Sequence, residues 1–95
     1  MGRPARRSIV ASLHGESYAA FVRLLVHRRK EAGLSQQDVA DAMGWPQSFI
    51  AKIERRERRL DAVEFVKLAA AIGFDAAKLI RELQKLMVEL GELDR

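Results

Sequence analysis

The sequence predicts an all-α domain of five helices, the last one extended. Three observations predict it. Apolar residues recur every three to four positions through five successive stretches. Glycine, or a Ser or Asp able to cap a helix, punctuates those stretches. No stretch alternates apolar and polar residues in the manner of a half-buried strand.

Residues 1–15 carry Gly2, Pro4, Gly15 and three arginines without a helical period. They read as a flexible basic arm, either reaching toward phosphates or solvated as a tail. The first helix is expected over 16–32. Tyr18, Phe21, Val22, Leu24 and Leu25 give it an apolar stripe, and Arg28, Arg29 and Lys30 load its C-terminal end, where the dipole favours cations. Gly33 suits a left-handed cap.

Ser35 opens the second helix with Asp38 at the third helical position, a variant of the capping box. Leu34 and Val39 have the spacing of a hydrophobic staple. Val39, Ala40 and Met43 face inward, and Gly44 ends the helix. Pro46 is expected in the first turn of the third helix, where its missing N–H is not needed. Ile50 and Ile53 supply the inward face; Phe49 packs beside them or sits partly exposed.

Asp61 and Glu64 form a second capping box for the fourth helix. Val63, Phe65, Val66, Leu68, Ala69 and Ile72 predict that it is nearly buried, and Gly73 stops it. The fifth helix runs from Asp75 to about Glu89. Leu79, Leu83, Leu86, Leu90 and Leu93 alternate spacings of four and three, as a heptad seam does. That seam is the expected dimer contact, though it also fits the domain's own core. The expected organisation is therefore an arm at 1–15, a helical domain at 16–80 and a dimerising extension at 81–95.

A helix, a short turn containing glycine, and a second helix make a helix-turn-helix. Ala40 permits a close crossing and Gly44 tolerates the positive φ of the turn. The front of the third helix is left outside the core, and it carries Gln47, Ser48, Ala51 and Lys52. Such a helix fits the major groove. Gln47 matches adenine N6 and N7, Ser48 can donate or accept, Ala51 suits a thymine methyl, and Lys52 reaches guanine or a phosphate. Gln36 opens the second helix, where backbone N–H groups favour an anion, with Gln37 beside it.

The segments "GLSQQDVADAMG", "PQSFIAKIE" and "ERRLDAVEFVKLAAAIG" resemble the Cro/repressor-type helix-turn-helix proteins, the XRE family, over about Phe21 to Leu79. The resemblance implies a five-helix DNA-binding domain, usually dimeric on a two-fold operator. At matching positions Gln36 would hold phosphate, Gln47 and Ser48 would read bases, and Lys52 would read bases or phosphate. It also implies an ion pair between Arg29 and Glu54 that fixes the angle between two helices and can turn the arginine toward a phosphate. The chain departs from the family's pattern at Pro46, where Ser or Thr is common, and at Arg56, where glycine is common. Arg56 must then adopt a positive φ or the turn must differ. Arg55, Arg56, Arg58 and Arg59 remain suited by charge to phosphates.

Composition narrows the function classes. A net charge of +4 over 95 residues favours an anionic partner, nucleic acid first and anionic membrane second. There is no cysteine, which fits a reducing compartment, and His14 and His27 lack ligand spacing. No apolar run reaches the length of a membrane span, and no signal peptide is evident. No nucleophile–base pair, glycine-rich phosphate loop or carboxylate constellation points to an enzyme. The expectation is a cytoplasmic, nucleoid-associated regulator of transcription, a homodimeric repressor on double-stranded DNA, without metal or cofactor. The alternatives are an antitoxin that neutralises a toxin protein and represses its own operon, and an interaction module with no DNA role. Polymerase is a further candidate protein partner.

Overall fold

The computed structural model describes residues 15–94. The expected basic arm thus lies outside the described residues, apart from Gly15. Five helices follow in order: α1 (Glu16–Glu31), α2 (Gln36–Met43), α3 (Gln47–Glu54), α4 (Ala62–Ile72) and α5 (Ala76–Glu89). The described residues contain no strand.

Local chemistry sets the boundaries. Ser35 accepts from the Asp38 N–H at 3.0 Å while the Asp38 carboxylate accepts from the Ser35 N–H at 2.8 Å. Asp61 and Glu64 repeat the arrangement at α4, at 2.7 and 3.1 Å. These bonds hold the Asp38 carboxyl below its ordinary range, mainly through the backbone N–H of Ser35. Pro46 precedes α3 instead of sitting within its first turn: it is the N-cap, at φ −63° and ψ 144°, and offers no side-chain acceptor. The ring fixes φ, and the extended ψ turns the chain into the helix.

α2 packs on α3 and α4, and α1 packs on α3 and α5, with α4 against α5. Their shared core holds Phe21 and Leu25 from α1, Val39 and Ala40 from α2, Ile50 and Ile53 from α3, Phe65 and Leu68 from α4, and Leu79 from α5. Phe21 meets Phe65 edge to face, with centroids 5.3 Å apart. The Tyr18 hydroxyl accepts from the Leu60 N–H at 3.2 Å, so the loop before α4 is tied to α1. Arg28 of α1 holds Glu82 of α5 through two bonds of 2.8 Å and lies over the Phe74 ring.

Two expectations about burial are corrected. Val63 and Val66 are 65% and 58% exposed, so α4 buries only the stripe of Phe65, Leu68 and Ala69. An eleven-residue helix with apolar residues all round has one face too many for a five-helix core. Leu79 is wholly buried and Leu83 packs against the core, so the first half of the leucine seam closes the protein's own interior. Leu93 lies beyond the helix. Gly91, at φ +77°, ends α5 with the Glu92 N–H bonded to the Met87 carbonyl. The chain then folds back, and the Glu92 carboxylate accepts from the N–H and the hydroxyl of Ser17. It thereby supplies α1 with the anionic cap that Gly15 lacks.

Candidate nucleic-acid interface

α2 and α3 are joined by the three residues Gly44, Trp45 and Pro46. Gly44 adopts φ +72°, and the Trp45 N–H returns to the Ala40 carbonyl at 3.0 Å. This closes α2 and turns the chain toward α3. Ile50 and Ile53 then point into the core, and Gln47, Ser48 and Lys52 stand exposed. Ala51 does not join them. It is only 8% exposed, on the buried side of α3, whereas the sequence reading leaves it outside the core. A methyl group needs only a small rotation of the helix to pass from rim to core, and here the helix turns it inward.

Behind the exposed row lies a continuous polar network. The Arg29 Nε and Nη2 donate to Glu54 at 2.6 and 3.0 Å, and Nη1 donates to the Leu34 carbonyl at 2.9 Å. Gln36 Nε2 donates to the same carboxylate at 2.8 Å, and Gln36 Oε1 accepts from Gln47 Nε2 at 2.7 Å. One chain of bonds therefore runs from the end of α1, through the end of α3 and the start of α2, to the first residue of α3. Among the described residues no buried side-chain nitrogen or oxygen lacks a partner. Sequence reasoning placed Gln36 and Gln47 separately; their contact depends on the crossing angle of α2 and α3, which no local spacing encodes.

The arginines divide by geometry. Arg29 is only 9% exposed and paired with Glu54, so it braces α1 against α3. Arg58 is half-buried. It holds Glu64 at 3.0 and 3.3 Å and lies over the rings of Phe49 and Trp45, at 4.9 and 5.4 Å. Trp45 and Phe49 themselves meet edge to face at 6.1 Å. Arg58 thus links the helix-turn-helix corner to α4, which competes with the phosphate contact expected of it. Its bond holds the Glu64 carboxyl below the ordinary range, with help from the Asp61 N–H.

Arg55 and Arg59 are exposed, Arg55 pairing with Glu57 at 3.0 Å. Arg56 takes φ +62°, the first of the two geometries open to it. The Arg56 N–H bonds the Ile53 carbonyl at 3.0 Å and the Glu57 N–H bonds the Lys52 carbonyl at 2.8 Å, a Schellman ending with arginine in the usual glycine position. Gln37 is exposed and donates to Asp41 at 2.7 Å. Lys52, Arg55, Arg56 and Arg59 accordingly lie on or directly after α3.

A short helix held by its apolar edge, with a polar edge exposed and cations at its end, defines a helix-turn-helix DNA-binding domain. The helix-turn-helix family model matches residues 27–79, more than half of the chain. The solved structure of an XRE-family like protein from Pseudomonas syringae pv. tomato str. DC3000 is similar, with a TM-score of 0.76 and 37% identity over 83% of this chain and 96% of that one. Among curated proteins, none matches the sequence. The chain belongs to the XRE family of helix-turn-helix proteins, a family of DNA-binding regulators. No helix among the described residues is long and apolar enough to cross a membrane.

Proposed function

We propose that the protein is a sequence-specific transcriptional repressor that binds a two-fold operator as a homodimer, with α3 in the major groove. The observation that carries this reading is the division of α3. Ile50, Ala51 and Ile53 are buried while Gln47, Ser48 and Lys52 are exposed on one helix whose end is followed by arginines. Gln47 and Ser48 read base edges, Lys52 reads a base or a phosphate, and Gln36, Gln37, Arg55, Arg56 and Arg59 meet phosphates. A domain of this size represses most simply by occupying a site that polymerase needs.

Two apolar surfaces among the described residues suit a second copy. One is the part of the leucine set left outside the core: half-buried Leu86 with exposed Leu90 and Leu93. The other is Val63 and Val66, one turn apart on α4. Their greater exposure favours α4 as the contact between copies. An antitoxin would use the same DNA-binding surface and offer one of these patches to its toxin.

Selection of bound duplexes from a random-sequence pool, followed by titration of the winner, tests the reading. A repeated half-site with centres about one helical turn, ~34–36 Å, apart is expected. No enrichment of any sequence would reject it.

A further inference from the structure

We propose that Glu57 masks the charge of Arg55 at a distance while leaving one edge of its guanidinium open for contact, and so makes the protein favour its operator over random DNA. This rests on the reading of α3 as the helix that lies in the major groove.

Glu57 stands directly behind the end of α3, where its N–H bonds the Lys52 carbonyl at 2.8 Å. Its carboxylate accepts from Arg55 Nε at 3.0 Å and from Arg55 Nη2 at 3.1 Å. Those donors form one edge of the guanidinium. The other edge, Nη1 with the second N–H of Nη2, has no partner among the described residues. Arg55 differs in this from two nearby arginines. Arg58 gives both Nη groups to Glu64, and Arg29 uses all three of its nitrogens inside the protein. Arg55 and Glu57 are both well exposed, so a duplex seated on α3 can reach the pair. The Glu57 carboxyl is held below its ordinary range, first by the bonds from Arg55, with the charges of Arg55 and Lys52 adding to them. It is therefore ionised at neutral pH, beside two of the cations assigned to DNA.

Distance decides what the DNA meets. Two opposite charges in contact present only a dipole to a duplex several ångströms away, and salt screens what remains. A loosely held duplex of random sequence is bound almost wholly through charge, so the neutral pair adds little there. A phosphate brought against the protein by a fully seated α3 meets the open edge instead. That edge can give two parallel charge-assisted bonds while the first edge stays on Glu57. The cation thus counts in the seated complex and is masked in the loose one. Glu57 determines specificity without touching a base.

The test uses the full chain, its selected operator and a random-sequence duplex. Glu57→Gln removes the mask. Affinity for the random duplex should rise roughly five- to tenfold at about 0.1 M salt, the effect of one more phosphate neutralised, and its salt slope should steepen by about 1. Operator affinity should rise by about twofold or less, because Arg55 is already engaged there, so preference for the operator falls. Arg55→Gln combined with Glu57→Gln restores the parent's charge without the open edge. Its affinity for the random duplex should match the parent's, and its operator affinity should fall by about fivefold. Both side chains are exposed, so all three proteins should melt alike; Glu57→Ala serves if the glutamine variant fails to fold. An equal rise for operator and random duplex in Glu57→Gln, or no change in either, would overturn the mask while leaving the reading of α3 intact. An intact protein that prefers no duplex to random competitor would remove that reading, and the mask with it.

Discussion

Arg29 and Glu54 are joined by two parallel hydrogen bonds, 2.6 and 3.0 Å long, so that a single ion pair ties the end of α1 to the end of α3. Both side chains are largely out of water, and the third partner of the arginine is the Leu34 carbonyl. Removing the carboxylate strands a desolvated guanidinium. Glu54→Ala is therefore expected to lower stability by about 3 kcal/mol, the cost of breaking a buried pair from one side. Urea unfolding followed by helical circular dichroism measures it. A loss below about 1 kcal/mol would mean that water reaches Arg29 and that the pair does not set the pose of α3.

Arg58 and Lys52 are both cations near α3, yet the structure uses them differently. Arg58 is spread over Phe49 and Trp45 and held by Glu64, whereas Lys52 is exposed. Arg58→Ala should lower stability by roughly 1–2 kcal/mol and change the emission of Trp45, the only tryptophan. Lys52→Ala should leave the melting midpoint alone. If Lys52 meets a phosphate, the variant should weaken binding to every duplex and reduce the slope of log affinity against log salt by about 1. The reverse pattern, with Arg58→Ala moving only the salt slope, would show that the arginine leaves its aromatic seat to meet DNA.

The sequence carried the helix boundaries because the signals there are local. Ser35 with Asp38, Asp61 with Glu64, and Gly33, Gly44 and Gly73 each act within one turn of their own position. The fold class follows from those caps and from the spacing of Phe21, Leu25, Ile50, Ile53 and Phe65. What escaped the sequence depends on which flank of a helix meets which neighbour. Val63 and Val66 are as apolar as Phe65 and Leu68, and only the packing of α4 on α2 and α5 chooses between them. Leu79 has heptad spacing whether it faces a second copy or its own core. Arg29, Arg58 and Arg59 look alike in a basic run, and only the positions of Glu54 and Glu64 separate an internal brace from an exposed cation.

The lowered Glu64 carboxyl makes stability depend on pH. Its folded pKa lies below the unfolded one, because Arg58 and the Asp61 N–H hold the charged form. Its contribution is complete above the ordinary glutamate range and is lost as pH falls from that range through the lowered folded value. Glu64→Gln should therefore melt earlier than the parent protein at neutral pH, and the gap should close by about pH 2, where both carry a neutral group. Melting curves at a series of pH values read the difference. A gap that stayed constant would assign the loss to altered packing and not to the charge.

Arg56 sits at a backbone position that favours glycine. At φ +62° a β-carbon crowds the backbone, and the strain at a single residue is of the order of 1 kcal/mol. Arg56→Gly should raise stability by up to about that amount, read as a higher urea midpoint. An arginine at this position implies that the side chain has work at the end of α3. Affinity for the operator should then fall in the glycine variant, by a factor that shrinks as salt rises. A variant both more stable and equally tight at low salt would remove Arg56 from the phosphate-contacting set.

Val63 and Val66 leave the α4 face apolar, and Leu90 does the same at the end of α5. A charge introduced at a contact between copies faces its own symmetry mate or an apolar neighbour, and either is unfavourable. Both valines are well exposed in the single chain, so a polar replacement there costs the fold little. Val66→Asp is expected to shift sedimentation from dimer to monomer while the melting curve at low concentration is kept. Operator affinity should fall steeply, because two half-sites are no longer engaged together. Leu90→Glu is the matched control for the other surface: if it produces the monomer and Val66→Asp does not, the copies meet through the end of α5, and Val63 and Val66 are left for a different partner.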